Sequence, residues 1–398
     1  MVGENMGLSE KIGNTNKVWR IGELHPGRRC VTLMITHDCN LHCSYCYEHH
    51  KSKKEMPVEL AKSIIKKEFE YVRNSTEFKE LEIDFMGGEP LMNFALIKEI
   101  VEWLESSPQQ VPYICFATTN GTLLNDESKH WFRLHKQTIV LGISYDGDSK
   151  MQLLNRGTEN GAVDLAFFHD LWPDQAFHIV IAKKTVSSVA QGILFLQEKG
   201  YPIEVALAQG EDWTREDAIT YQKQLKILMT AYLYDQSLPP MNRLTTFLLV
   251  DNSLSSDSKM HKFCGTGTHM IAYDVDGKEY GCHMFTPVVV AERALERRLV
   301  DWNNLDEESQ CIRCCLRQVC GTCLGYNLLQ RRAPEKRDFR FCLMTLAELQ
   351  AACEFQIHYF SRKESLNDIE MSHSINALKS YAILRRFDLK KDNPPFLM

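Results

Sequence analysis

The sequence predicts an α/β fold built on a parallel sheet with crossover helices, and three observations carry that prediction. Short β-branched and apolar runs recur through the first half of the chain; stretches with apolar residues at helical spacing separate them; glycine-rich or polar groups follow several of the runs. Strands regularly separated by helices become parallel neighbours joined by crossovers. Six such units fit between Val31 and Ala208. That is fewer than the eight that close a full barrel, yet sites in such folds still lie at the C-terminal strand ends.

The elements follow in order. Residues 1–17 are polar and read as a mobile lead-in, and 18–21 as an edge strand. Val31 to Thr36 is a buried first strand. Val58, Leu60, Ala61, Ile64, Ile65, Phe69 and Val72 predict a helix over 57–74, followed by a strand at 81–86. A helix at 95–105 precedes a strand at 113–117; further strands are predicted at 138–144, 176–182 and 203–208, with helical stretches between them. A long amphipathic helix at 213–234 ends this region, and the paired prolines of 235–240 mark a linker. Two closing helices are predicted at 343–359 and 375–387.

Composition bounds the function. The 398 residues are 44% hydrophobic and 25% charged, the profile of a globular protein with ample length for a core. A net charge of −6 favours neither nucleic acid nor a membrane surface as the general partner. No apolar run is long enough to span a membrane, and the N-terminus lacks the apolar region of a secretory signal, so a cytoplasmic protein is expected. Fourteen cysteines in a reducing compartment then argue for metal or catalytic use.

Three of those cysteines stand together after the first strand, in Cys39-Asn40-Leu41-His42-Cys43-Ser44-Tyr45-Cys46. Thiols at this spacing can converge on one metal centre. Iron–sulfur clusters are normally held by four thiolates, so three suggest a cubane with one iron open to a small molecule; a zinc knuckle is the alternative. The loop resembles the signature of the radical S-adenosylmethionine (SAM) enzymes, with Tyr45 as its aromatic residue. The resemblance implies a partial (β/α)6, TIM-like barrel and a [4Fe–4S] cluster whose open iron chelates the amino and carboxylate groups of SAM. It also implies reductive cleavage of SAM to a 5′-deoxyadenosyl radical.

Strand-end residues extend the resemblance. Gly87-Gly88-Glu89-Pro90 matches the family's GGEP element, which meets the methionine amino group of SAM; the two glycines would let a ligand approach the backbone. Thr119-Asn120-Gly121 and Ser144-Tyr145-Asp146-Gly147 resemble its TNG and SxDG elements, implying contacts from Asn120, Ser144 and Asp146 to the ribose and carboxylate. Arg156 lies where relatives carry an arginine able to bind that carboxylate in bidentate fashion. Simple turns at Gly87-Gly88 and an Asx turn at Asp146 are the structural alternatives. Tyr45 either packs or contacts the adenine.

Eight more cysteines lie between 264 and 342. Cys264, Gly277 and Cys282, then Cys311-x2-Cys314-x5-Cys320-x2-Cys323 and Cys342, resemble the SPASM extension of radical SAM enzymes, except that the last pair is C-x2-C. The resemblance implies two auxiliary [4Fe–4S] clusters, one at Cys264, Cys282 and Cys323, the other at Cys311, Cys314, Cys320 and Cys342. The first set is one thiolate short. Position 270, where some relatives place a cysteine, is Met, so that iron is open or is bound by His269 or Cys315. Structural zinc is the alternative for this field, but only five residues separate its two CxxC pairs. Cys115, in an apolar strand, reads as core. The implied domains are a lead-in (1–27), the radical SAM barrel (28–236), the SPASM domain (237–345) and C-terminal helices (346–398).

SPASM enzymes mostly act on peptides or proteins. The first functional reading is therefore a maturase of a ribosomally made peptide, installing an oxidative thioether or carbon-linked crosslink. Gly281-Cys282-His283-Met284-Phe285 resembles a run in thioether-forming maturases. Only about 30 residues precede the first strand, fewer than the ~50 of a domain, so a separate leader-binding protein, the SPASM surface or the C-terminal helices would recognise a leader. The second reading is an anaerobic sulfatase-maturing enzyme making formylglycine; that group has Asp where this chain has His283. A non-catalytic Fe–S electron carrier is the third. Flavodoxin or ferredoxin is the expected electron donor. His283, Tyr145, Glu211 and Asp212 are the candidates for a general base, His283 because the imidazole pKa ordinarily lies near neutrality.

Overall fold

The computed structural model describes residues 27–396 except 108, 160, 247, 249, 251–258 and 261. The expected lead-in and the edge strand at 18–21 lie outside the described residues. Six parallel strands follow one another as expected: β1 (Arg28–Thr36), β2 (Glu80–Gly87), β3 (Tyr113–Thr119), β4 (Ile139–Ile143), β5 (Phe177–Ile181) and β6 (Ile203–Leu207). Between them run α1 (Val58–Asn74), α2 (Phe94–Ser106), α3 (Asp126–His135), α4 (Ser149–Arg156), α5 (Leu165–Leu171) and α6 (Val189–Gln197), and α7 (Arg215–Tyr234) follows β6.

The sheet runs β4-β3-β2-β1 in parallel register, and β5 pairs with β6. A single parallel bridge between Ser144 and His178 hands the sheet on from β4 to β5. This is the open, partial barrel that six βα units build. On the far side of β1 the chain adds β7 (Met270–Tyr273), parallel to it, and β8 (Glu279–Tyr280), antiparallel to β7. A strand of the second cysteine field thus belongs to the barrel's own sheet.

Local sequence sets these elements. Asn125 with Ser128, Thr214 with Asp217, and Asn367 with Glu370 form reciprocal capping boxes that start α3, α7 and the last helix. Asp148 caps α4, and Gly157 at φ 72° ends it. Along β1 the side chains alternate. Val31, Leu33 and Ile35 join the main core with the helices, while Met34 joins a second core with Cys282, Phe285 and Trp302.

The one-turn helices α8 (Asn242–Thr245), α9 (Pro287–Val290) and α10 (Ser309–Ile312) lead to α11 (Leu324–Arg331), α12 (Cys342–Ser361) and α13 (Asp368–Leu384). Helix α12 packs on α7, α8 and α13 and is buried along most of its length. Both closing helices are present, and α13 starts seven residues before the predicted 375 because Asn367 caps it there. Among the described residues no helix is long and apolar enough to cross a membrane.

Candidate functional site

The three-cysteine loop leaves the C-terminal end of β1 and is tied to the end of β2 and to α4. Gly88 N–H donates to the Thr36 carbonyl (3.2 Å), Glu89 N–H to the Asp38 carbonyl (2.9 Å), and Ser44 N–H to the Asn155 carbonyl (2.7 Å). A Cβ at Gly87 would stand 2.3 Å from the Thr36 oxygen, and one at Gly88 2.3 Å from the Asp38 oxygen. The glycines are therefore needed because the chain itself passes there. This is a structural requirement beside the expected approach of a ligand to their backbone. Cys39, Cys43 and Cys46 are free and half-buried.

Burial pushes Cys43 up to about 11, against the pull of Arg156. Such thiols give up their protons to a bound metal rather than to water. Among the described residues no three His, Cys, Asp or Glu donors are set as one metal ion requires. A cubane takes its thiolates at separate corners, so the donor chemistry suits a cluster better than a lone zinc ion.

Glu89 joins the GGEP turn to the TNG turn. Its carboxylate accepts from Thr119 Oγ1 at 2.5 Å, Asn120 N–H at 2.8 Å and Leu91 N–H at 3.1 Å, while burial raises its pKa. Asn120 Nδ2 donates to Asn40 Oδ1 in the cysteine loop at 2.9 Å. Ser144 N–H donates to the Thr119 carbonyl, which places it at the next strand end.

Asp146 is fully buried and completely engaged. Arg156 grips it with Nε to Oδ2 (3.0 Å) and Nη2 to Oδ1 (3.1 Å), Tyr45 donates its hydroxyl to Oδ2 (2.6 Å), and Val180 N–H donates to Oδ1 (3.0 Å). Four donors fill the acceptor sites of a carboxylate. In this arrangement Asp146 braces Arg156 and Tyr45. The Arg156 guanidinium lies over the Tyr45 ring, 5.5 Å from its centroid, and Nη1 makes no hydrogen bond among the described residues. Arg156 is 93% buried, so that Nη1 edge is a preformed seat for an anionic group.

The four candidate bases separate cleanly. Glu211 lines a cavity of about 100 Å³ together with Tyr45, Cys46, Gln209 and Tyr326, and burial raises its pKa. Asp212 is exposed, and Tyr145 is packed in the core with its N–H on the His178 carbonyl. Burial pushes His283 down to about 4, so the expectation of an imidazole near neutrality is corrected.

The second cysteine field resolves into two groups. Burial first, then neighbouring Cys323 and Cys264, push Cys282 far up; Thr266, 3% exposed, sets its hydroxyl 3.0 Å from Cys264 Sγ. Cys311, Cys314, Cys320 and Cys342 line one cavity with Arg317, Arg337 and Phe396. Cys315 sits with this second group: its thiol pairs with Cys314, and its N–H donates to the Phe396 carbonyl. It is thereby removed as a fourth ligand of the first group. The His269 ring lies against Gly265, beside Cys264.

Several residues of these sites escaped the sequence reading. His178, whose buried Nε2 lacks a hydrogen-bond partner, stands on β5 at the bridge to Ser144; strand alternation could have flagged it. Glu307, Arg317 and Arg337 carry no spacing signal that distinguishes them from surface charges.

A family described as a 4Fe-4S single cluster domain matches residues 25–163. The radical SAM cyclopropyl synthase TigE of Paramaledivibacter caminithermalis is 24% identical over 159 residues, 36% of this chain and 32% of that protein. The chain spans less than half the length of the curated relatives that it matches. Native anSMEcpe with bound AdoMet and Cp18Cys peptide superposes with a TM-score of 0.61 at 18% identity, over 87% of this chain and 99% of that one. Streptococcus suis SuiB bound to precursor peptide SuiA gives 0.54 at 16% identity, over 78% and 75%. At such identities these matches show the fold.

Proposed function

We propose that this chain, a relative of the radical SAM enzymes with the fold of their SPASM members, is a peptide maturase that installs an oxidative thioether or carbon-linked crosslink. The observation that carries the reading is the joining of the three-cysteine loop to a braced, buried arginine: Tyr45 lies between Cys43 and Cys46, and Asp146 holds both Tyr45 and Arg156. Cys39, Cys43 and Cys46 would hold a [4Fe–4S] cluster; Cys264, Cys282 and Cys323, and Cys311, Cys314, Cys320 and Cys342, would hold two more. When bound, the clusters and SAM supply an electron and a carbon radical that takes a hydrogen atom from the substrate.

The chain's own residues do the placing. Arg156 would offer Nη1 to the SAM carboxylate, and Gly87, Gly88, Glu89, Asn120 and Ser144 would contact SAM from the neighbouring strand ends. Glu211, in the cleft beside Cys46, is the candidate placed to receive a substrate proton. Flavodoxin or ferredoxin would deliver the electron, and a separate protein could present a leader. The peptides in the anSMEcpe and SuiB structures support a peptide as substrate, and a peptide-modifying fold is what they share.

A second reading, formylglycine formation from Cys or Ser, is favoured by the near-complete coverage of anSMEcpe. Against it, His283 stands where that group has Asp. The deciding experiment is mass spectrometry of the small peptide encoded nearest the gene, coexpressed anaerobically with and without the enzyme. Loss of two hydrogens with fragmentation blocked between two side chains is the expected result. A mass unchanged in H2O but one unit higher in D2O would mean epimerisation, and an aldehyde on a sulfatase peptide would establish the second reading.

A further inference from the structure

We propose that Arg337 raises the reduction potential of the cluster site formed by Cys311, Cys314, Cys320 and Cys342, fitting that site to accept an electron. The inference rests on reading these cysteines as cluster ligands. Arg337 lines their cavity and is only 4% exposed. Its Nε donates to Glu307 Oε1 at 2.7 Å, and its Nη1 to the Cys320 carbonyl at 2.6 Å. Nη2 lies 2.5 Å from Glu307 Oε1 as an ion pair, yet is buried without a hydrogen-bond acceptor. A buried N–H left unmatched is costly, and the four cysteines line the same cavity as Arg337.

Glu307 does not cancel this charge. Its other oxygen accepts from Arg317 Nε at 2.6 Å, so one carboxylate is shared between two guanidinium groups. The Arg337 backbone is fixed as well, because its carbonyl accepts from Arg331 Nη1 at 2.7 Å. Leu316, Phe339, Pro395 and Phe396 form the rest of the wall. Beside that largely apolar wall the charge is screened less than it would be in water. The potential of an iron–sulfur site depends on neighbouring charge, on hydrogen bonds to its sulfurs and on exposure. Arg337 supplies a cation and an unspent donor in that wall, and both favour the more negative, reduced form.

The test is an EPR-monitored potentiometric titration of the full-length, anaerobically reconstituted protein, with Cys39, Cys43 and Cys46 changed to alanine so that only second-field signals remain. Arg337→Met should lower the midpoint, Arg337→Lys should leave it near the starting value, and Glu307→Gln should raise it. Arg337→Met leaves Glu307 paired with Arg317, so no buried charge is stranded. Unchanged midpoints, or shifts of Arg337→Met and Glu307→Gln in the same direction, would overturn the proposal. If Arg337→Met fails to take up iron, Glu307→Gln and Arg337→Lys decide by the same signs. Absence of iron from the alanine background would instead refute the cluster reading itself, and is seen before any titration.

Discussion

The Tyr45 hydroxyl donates to Asp146 Oδ2 at 2.6 Å, joining the residue between two cysteines of the loop to the end of a barrel strand. Because Arg156 grips the same carboxylate, Asp146→Ala should cost about 3–5 kcal/mol by leaving a buried charge unpaired. Tyr45→Phe, which keeps the ring under the guanidinium, should cost about 1.5–3 kcal/mol. Anaerobic urea denaturation measures both. If the two residues act as one unit, the double variant costs less than the sum, whereas strict additivity would separate them.

Asp84 gives the fold a pH dependence. Burial first, and then Glu82, raise its carboxyl from 3.8 to about 7. Between about pH 4 and 7 the folded chain therefore holds a proton that the unfolded chain has lost, and this contribution to stability falls as pH rises. Unfolding midpoints at pH 4.5 and 7.5 should converge in Asp84→Asn relative to the wild type. An Asn variant with the same pH slope as the wild type would place the titration elsewhere.

Iron analysis distinguishes cluster cysteines from core cysteines. Cys115 and Cys353 are 0% exposed within the main apolar core. Alanine at either should leave iron and sulfide content unchanged, while serine at Cys342 should lower both. Iron loss from Cys115→Ala in a folded protein would contradict the grouping drawn here.

The C-terminal segment covers the four-cysteine cavity. Phe396 is 1% exposed against it, and Arg215 holds the segment through the Leu389 carbonyl, the Asp392 carbonyl at 3.0 Å and Asn393 Oδ1 at 2.5 Å. Phe396→Ala removes a buried ring, a change worth about 3–5 kcal/mol in a core. The expected outcome is faster bleaching in air of the absorbance due to that site. Bleaching at the wild-type rate would mean that the ring does not shield it.

The sequence made the six βα units legible because each strand is an apolar run bounded by helical periodicity, and local patterning agrees with the fold at every unit. The site elements were legible as positions rather than as roles. Asp146 stood in the right turn, but its four hydrogen bonds come from Arg156, Tyr45 and Val180, which only the folded barrel brings together. The packing of Gly87 and Gly88 against the Thr36 and Asp38 carbonyls, which a Cβ would strike, carries no signal in the sequence. The pairing of β7 with β1 was hidden because Met270 to Tyr273 is only four residues long and lies far along the chain from its partner. Arg337 and Glu307 were invisible for the same reason, being charges whose burial depends on long-range packing.

SAM cleavage tests the central claim most directly. Reconstituted enzyme, reduced under anaerobic conditions with SAM, should release 5′-deoxyadenosine and methionine, as followed by liquid chromatography. Cys43→Ala should abolish that release while retaining iron at the second cysteine field. No 5′-deoxyadenosine from the iron-loaded wild type, with or without peptide, or undiminished release from Cys43→Ala, would contradict the account.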